Sequence, residues 1–344
     1  MTAPPTTAPV LRTVPVTDRT TWQYVHAGAG WGEVSDIGRS AAVRLLSAAR
    51  PPHGDGFAER TVRGGLATAE CDAAARAAGL PLADWLARTT GRTVVRRTLP
   101  LYANINRAVH ARTPEAAAHV AARAVAAGYT TVKIAPWDAL TGPDRIADGL
   151  RIARAVRTVI GPGRTLLLDA HHLLTVDELL AHARAVTDLR PGWLEDTAPL
   201  DDPEGLRRVR EAVGVPLAGG EFAATEEEVL PALRSGALDV LLPDVKHAGG
   251  PLQVLRLADL AARHGVAVSL HNPNGPVATA ASAHLSALLP LTSPPLEFMF
   301  GEAEWRPASV TPPEPVRAGT YPLGAGPGLG LVPTTPSDPA KETR

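Results

Sequence analysis

From about residue 100 onward the chain repeats one unit: a short aliphatic or β-branched run, a polar residue at its end, then an amphipathic stretch of helical period. The runs are 99–105, 129–134, 165–170, 192–197, 215–221, 238–244, 266–271 and 294–300. The first intervening helix is punctuated at both ends, with Thr113 as N-cap, Pro114 in the first turn and Gly128 after the last. Eight strands alternating with helices, at about 30 residues per unit, predict a parallel barrel rather than an open doubly wound sheet. No G-x-G-x-x-G opens any of these helices, which argues against a dinucleotide site. The expected fold is therefore α/β, a modified TIM barrel of (β/α)7β form over 99–300. A smaller N-terminal α+β capping domain (1–98) contains the strand TTWQYVHAG and helices around SAAVRLLSAA and GGLATAECDAAARAAG. The segment 301–332 is expected to return to that cap, and 333–344, rich in Pro and Thr, to be a disordered tail.

Composition bears on partners. A formal net charge of −1 with 45% hydrophobic residues, and no block of like charges, gives no electrostatic reason to bind nucleic acid or an anionic membrane. No run is long and apolar enough to span a bilayer, the lone Cys71 cannot form an internal disulfide, and MTAPPTTAPV lacks the basic flank and apolar core of a signal peptide, so a cytoplasmic location is expected. Only Lys133, Lys246 and Lys341 are lysines; every other basic side chain, histidine aside, is arginine. A lysine kept in such a chain suggests a task that guanidinium cannot do, such as titrating near neutrality or acting as a compact point charge, although chance also produces such a pattern.

In a barrel of this type chemistry gathers where the strands end. Those ends read Lys133, Asp169, Glu195, Glu221, Asp244, His271 and Glu297, seven ionisable residues in succession, where arbitrary loop entries would include Ser, Asn, Thr and Gly. Asp169, Glu195 and Glu221 come from three consecutive strands and offer oxygen only, a donor set suited to Mg²⁺. Without a cation such carboxylates repel, and one of them takes up a proton. Asp244 and His271 end neighbouring strands; a carboxylate behind an imidazole fixes its tautomer and raises its basicity, which suggests a general base, with a satisfied structural histidine as the alternative.

These residues, with GWGEVSD, YTTVKIAP, LLLDAHH, WLEDTAP, GGEF, LLPDVKHAGG, SLHNPNGPVATAAS, LEFMFGE and GPGLGL in that order, resemble the enolase superfamily over nearly the whole chain. Within it they resemble the mandelate racemase/muconate lactonizing enzyme family, its mandelate racemase-like subgroup and, most closely, galactonate-type sugar-acid dehydratases. The resemblance implies removal of the proton α to a carboxylate, with Mg²⁺ held by Asp169, Glu195 and Glu221. It implies a His271/Asp244 base, an electrostatic role for Lys133 at the substrate carboxylate, and contact of Glu297 with the intermediate. Where mandelate racemase-like members carry K-x-K on the second strand, this chain has Lys133 and Ala135, which disfavours racemisation by the usual pair of bases. His171, two residues past the first ligand, matches the histidine that protonates the departing 3-hydroxyl in galactonate-type dehydratases. Strand alternation places it on the face of Asp169 and turns His172 away.

The expected reaction is Mg²⁺-dependent dehydration of a polyhydroxylated acid to a 2-keto-3-deoxy acid. A racemase or epimerase, and a catalytically inactive metal- or acid-binding relative, stay open. Lys246, two residues past Asp244, either contacts an anionic substrate, acts as an extra base or faces solvent. Asn272, His26, Trp22, Tyr24 and Trp137 are further possible substrate contacts, or ordinary packing. The capping-domain segment before TTWQYVHAG is short, which leaves the mouth open or to be covered by a neighbouring subunit; a homo-oligomer is expected.

Overall fold

The computed structural model describes residues 8–48 and 54–334. Lys341 and most of the expected tail (335–344) lie outside the described residues. The chain starts with an antiparallel sheet of β1 (Val10–Pro15), β2 (Thr21–Ala27) and β3 (Gly30–Glu33), followed by α1 (Arg39–Leu46), α2 (Phe57–Ala77) and α3 (Leu82–Thr90). The sheet lies directly on α2. A Cβ at Gly32 would overlap the Gly65 carbonyl, and on another face of the helix a Cβ at Gly64 would overlap the Lys246 carbonyl. The paired glycines thus let one helix touch both the cap sheet and the barrel.

The barrel strands are β4 (Thr98–Asn104), β5 (Thr131–Ile134), β6 (Thr165–Asp169), β7 (Trp193–Glu195), β8 (Leu217–Gly219), β9 (Val240–Leu241), β10 (Ala267–Val268) and β11 (Leu296–Met299). All their pairings with one another are parallel, in the order β10-β9-β8-β7-β6-β5-β4-β11. The seam between β10 and β11 is bridged by the Ser269 hydroxyl donating to the Pro295 carbonyl at 2.8 Å. Between the strands run α4 (Pro114–Ala126), α5 (Arg145–Ile160), α6 (Val176–Ala181), α7 (Ala183–Thr187), α8 (Pro203–Val213), α9 (Glu226–Ser235), α10 (Pro251–Arg263) and α11 (Pro276–Ser286). Thr113 caps α4 by accepting from the Ala116 N–H, with Pro114 in the first turn, as its sequence predicts. β12 (Val310–Thr311), β13 (Thr320–Pro322) and β14 (Val332–Pro333) carry the chain back: β13 pairs with β4, and Arg12 of the cap donates to the Pro333 carbonyl at 3.0 Å. Residue 333, the expected start of the tail, is instead part of β14, since Pro333 pairs with Val310.

The eight expected strands are present and all but β4 are shorter, β8, β9 and β10 because the loops at the top of the barrel begin early. Glu221, Asp244 and His271 lie two or three residues beyond β8, β9 and β10, and Glu297 lies inside β11.

His284 of α11 fastens barrel to cap: its Nδ1 accepts from the Ala83 N–H at 3.1 Å, and the ring is buried. Burial pushes its pKa down to about 4, below the usual value of about 6.5. Between those values the unfolded chain binds the extra proton and the folded chain does not. This contribution to stability is therefore full above about pH 6.5 and is lost as pH falls toward 4, by about 3 kcal/mol. Urea midpoints between pH 7 and 4.5 should fall more steeply for the native chain than for His284→Asn; equal slopes would remove His284 as the cause.

Candidate active site

The strand ends converge on buried charge. Lys133 of β5, 1% exposed, places its Nζ 2.6 Å from Glu195, 2.9 Å from Glu297 and 3.1 Å from Asp169, all themselves buried. Burial works against its proton, but Glu195, Glu297 and Asp169 hold the Lys133 pKa well above the ordinary value. Lys133 is thus a fixed point charge and does not titrate near neutrality. Burial and the neighbouring Asp169 charge push the Glu195 carboxyl up to about 8. Glu297 is oriented from two sides, by the Asn104 amide at 2.7 Å and the Asn272 backbone N–H at 2.7 Å.

Two imidazoles face a cavity of about 400 Å³ above this cluster, each backed by an aspartate. Asp244 Oδ2 lies 3.0 Å from His271 Nδ1 and also accepts from the Asn274 amide at 3.0 Å, while Asp244 Oδ1 accepts from the Lys246 N–H. Asp138 Oδ1 lies 2.7 Å from His171 Nδ1. The two histidines follow β10 and β6, four positions apart in an eight-stranded ring, so they stand on opposite walls. Although burial opposes it, the Glu221 charge 2.9 Å from Nε2 and the hydrogen bond to Asp244 raise the His271 pKa well above the usual value. The His171 pKa rises to about 11, against burial, through the Asp169 charge and a hydrogen bond to Asp138.

The fit to a divalent cation rests on the donor set. Asp169, Glu195 and Glu221 are buried and offer oxygen only, and Asp169 Oδ2 and Glu221 Oε2 have no partner in hydrogen-bond geometry. Charged nitrogens nevertheless stand close to both: His171 Nε2 is 3.0 Å from Asp169 Oδ2, and His271 Nε2 is 2.9 Å from Glu221 Oε2. Among the described residues no three His, Cys, Asp or Glu side chains are already gathered as a metal cluster. The donor chemistry fits a hard cation, with lysine and imidazole nitrogens now supplying the counter-charge.

Several sequence expectations are corrected by this geometry. β6 ends at Asp169, and His171 and His172 both adopt left-handed backbone (φ 45° and 52°), so strand alternation does not orient them. His171 meets Asp169 because of that turn, and His172 lies 3.8 Å from Asp196 in a neighbouring cleft. Lys246 neither faces solvent nor lines the cavity: it is 1% exposed and ion-paired to Asp36 of the cap. Asn272 lies outside the cavity lining and instead binds Glu297 and Thr279. Trp22, Tyr24 and Trp137 are core residues and His26 packs tilted against Trp31, ring centroids 4.4 Å apart; none of them lines the cavity. Sequence reading missed Asp138, Arg112, Arg19, Asp36 and Arg107, which do line it. Asp36 sits in GWGEVSD and Asp138 just after YTTVKIAP, both motifs already singled out; the arginines carry no local signal.

The family described as "Enolase C-terminal domain-like" has a model that matches residues 115–337. A D-gluconate dehydratase of Thermoproteus tenax is 28% identical over 225 residues, 64% of this chain and 45% of that protein. A D-galactonate dehydratase family member of Streptomyces bingchenggensis is 38% identical over 142 residues, 41% of this chain and 34% of that protein. The chain thus spans less than half the length of these two relatives. Among solved structures, a mandelate racemase/muconate lactonizing enzyme from Jannaschia sp. CCS1 superposes with a TM-score of 0.81 at 24% identity, covering 96% of this chain and 95% of that one, a likeness of fold.

Proposed function

The chain belongs to the enolase superfamily, in its C-terminal domain-like family, and from that membership we propose that it is a Mg²⁺-dependent dehydratase that converts a polyhydroxylated carboxylic acid to a 2-keto-3-deoxy acid. The observation that carries this reading is the pair of aspartate-backed imidazoles on opposite walls of one cavity, above a charged lysine. Asp169, Glu195 and Glu221 would hold Mg²⁺, which when bound supplies positive charge to the substrate carboxylate.

With Glu221 engaged as a metal ligand, His271 Nε2 is left to accept the C2 proton, while Asp244 holds the other nitrogen and stabilises the imidazolium that forms. Lys133 presents fixed positive charge where the carboxylate becomes an enediolate, and Glu297 keeps its ammonium in place at 2.9 Å. On the other wall, protonated His171 gives its proton to the departing 3-hydroxyl, and the enol then tautomerises. Ala135, buried in the turn after β5, offers no second lysine base.

A racemase or epimerase is the second reading, favoured by the same opposed pair, with His171 returning the proton to carbon. Incubating sugar acids in deuterated buffer with Mg²⁺ separates the two. The expected result is a 2-keto acid, formation of which stops with chelator and resumes with added Mg²⁺. Recovery of α-deuterated, stereoinverted acid without water loss would overturn the dehydratase reading in favour of the second.

A further inference from the structure

From His171 a line of contacts leads away from the reacting carbon. His171 Nδ1 meets Asp138 Oδ1 at 2.7 Å, and Asp138 Oδ2 meets Arg112 Nη2 at 3.3 Å. The Arg112 side chain is 12% exposed, and its other terminal nitrogen, Nη1, is buried without a hydrogen-bond partner. Burial lowers the Arg112 pKa against the opposing Asp138 charge, and the like charge of Arg19 lowers it further. Both arginines line the cavity. Arg19 is presented by the tight turn between β1 and β2, where the Thr17 hydroxyl accepts from the Arg19 and Thr20 N–H groups and the Val16 N–H reaches the Thr20 carbonyl. Its side chain has no ion-pair partner among the described residues.

Counter-charge at the arginine end of the cavity is sparse. His171 is shared between Asp169 at 3.0 Å and Asp138 at 2.7 Å, whereas Arg112 meets Asp138 alone, through one nitrogen at 3.3 Å, and Arg19 adds a like charge nearby. The third arginine in the lining differs, since Arg107 is already paired with Glu302 at 2.9 Å. The unsatisfied, buried Arg112 Nη1 is costly unless an acceptor completes it, Arg19 stands exposed at the same end of the cavity with its guanidinium free to join, and the planar fork of arginine suits carboxylate and phosphate oxygens.

We propose that Arg112 and Arg19 form the subsite for a second anionic group at the far end of the substrate, so that the acid processed is a dianion. This rests on the reading of the site given above: the reacting carboxylate lies at Lys133, the leaving hydroxyl at His171, and the carbon chain runs past Asp138 to the two arginines. The shared chemistry is a terminal oxyanion, supplied by the second carboxylate of a sugar diacid or by a terminal phosphate ester of a sugar acid.

The test compares acids matched in length and configuration but ending in hydroxymethyl, carboxylate or phosphate, each incubated with the full chain and Mg²⁺. One of the anionic termini should exceed the hydroxymethyl acid by about a hundredfold in kcat/KM, as expected of one or two charge-assisted contacts. Which of the two is preferred identifies the source. Arg112→Met and Arg19→Met should each reduce that preference at least tenfold, mainly through KM, with partial recovery in Arg112→Lys. Equal or better use of the hydroxymethyl acid overturns the subsite. If no acid exchanges its α-proton in deuterated buffer, the dehydratase and racemase readings fail instead. Calorimetric binding of the same acids to the native chain and to Arg112→Met then decides the subsite separately: a dianion preference lost in the variant supports it, and no preference overturns it.

Discussion

His271→Asn is expected to lower the rate of α-proton exchange and of 2-keto acid formation by about 10³-fold, with little change in thermal stability. The ring nitrogen that faces Glu221 is the one placed to take a proton, and asparagine keeps a polar group near Asp244 while removing any basic nitrogen. His171→Asn should behave differently. If His171 serves only to protonate the leaving hydroxyl, that variant continues to exchange the α-proton while water loss falls by about 10²-fold or more. If it instead serves as the second base of a racemase, the variant loses stereoinversion while one-face exchange survives. Exchange by His271→Asn within a factor of ten of the native rate would remove His271 as the base, whatever the reaction.

Lys133→Met should cost about 3–5 kcal/mol of folding stability in chelator-treated protein, because it leaves Asp169, Glu195 and Glu297 buried without their common counter-charge. The methionine nearly matches the stem in volume, so a cavity contributes little. Urea unfolding in the presence of chelator measures the loss. Added Mg²⁺ should return part of the stability, since a second cation neutralises some of the same carboxylates, but it should not return turnover, which needs the ammonium itself. If Lys133→Met does not fold, Lys133→Gln keeps a donor and should show the same order of effects in smaller degree. An unchanged urea midpoint would mean that the carboxylates are satisfied without the lysine.

Much of the site could be read along the chain because of how a parallel barrel works. Each strand delivers its last inward residue to one end of the ring, so side chains far apart in sequence share a surface whenever they terminate strands. Lys133, Asp169, Glu195 and Glu297 were legible for that reason, and the aspartate behind His271 because their strands are neighbours in both sequence and sheet. The same rule misled where the strand had already stopped. His171 reaches Asp169 through a left-handed turn, where the two-residue periodicity of a strand has no force.

The cap contacts were the least legible. TTWQYVHAG offered three aromatic rings at the right distance from the barrel in sequence, yet Trp22 and Tyr24 are wholly buried and His26 pairs with Trp31. The cavity instead takes Arg19 from the turn just before that strand. Lys246 shows the same dependence on packing: two residues past Asp244 it had several open roles, and the close approach of α2 to its carbonyl seals it against Asp36.

The sequence by itself determined the barrel, the ionisable ends of its strands and the membership of the chain in its family, because periodicity and strand termination are local properties that survive in one dimension. The tertiary structure alone decided which nitrogen faces which carboxylate, that Lys246 is an interface residue, and that Asp138 and Arg112 stand behind His171. Those pairings join loops from different strands and from the cap, and their geometry is set by how helices and turns pack, which no spacing along the chain encodes.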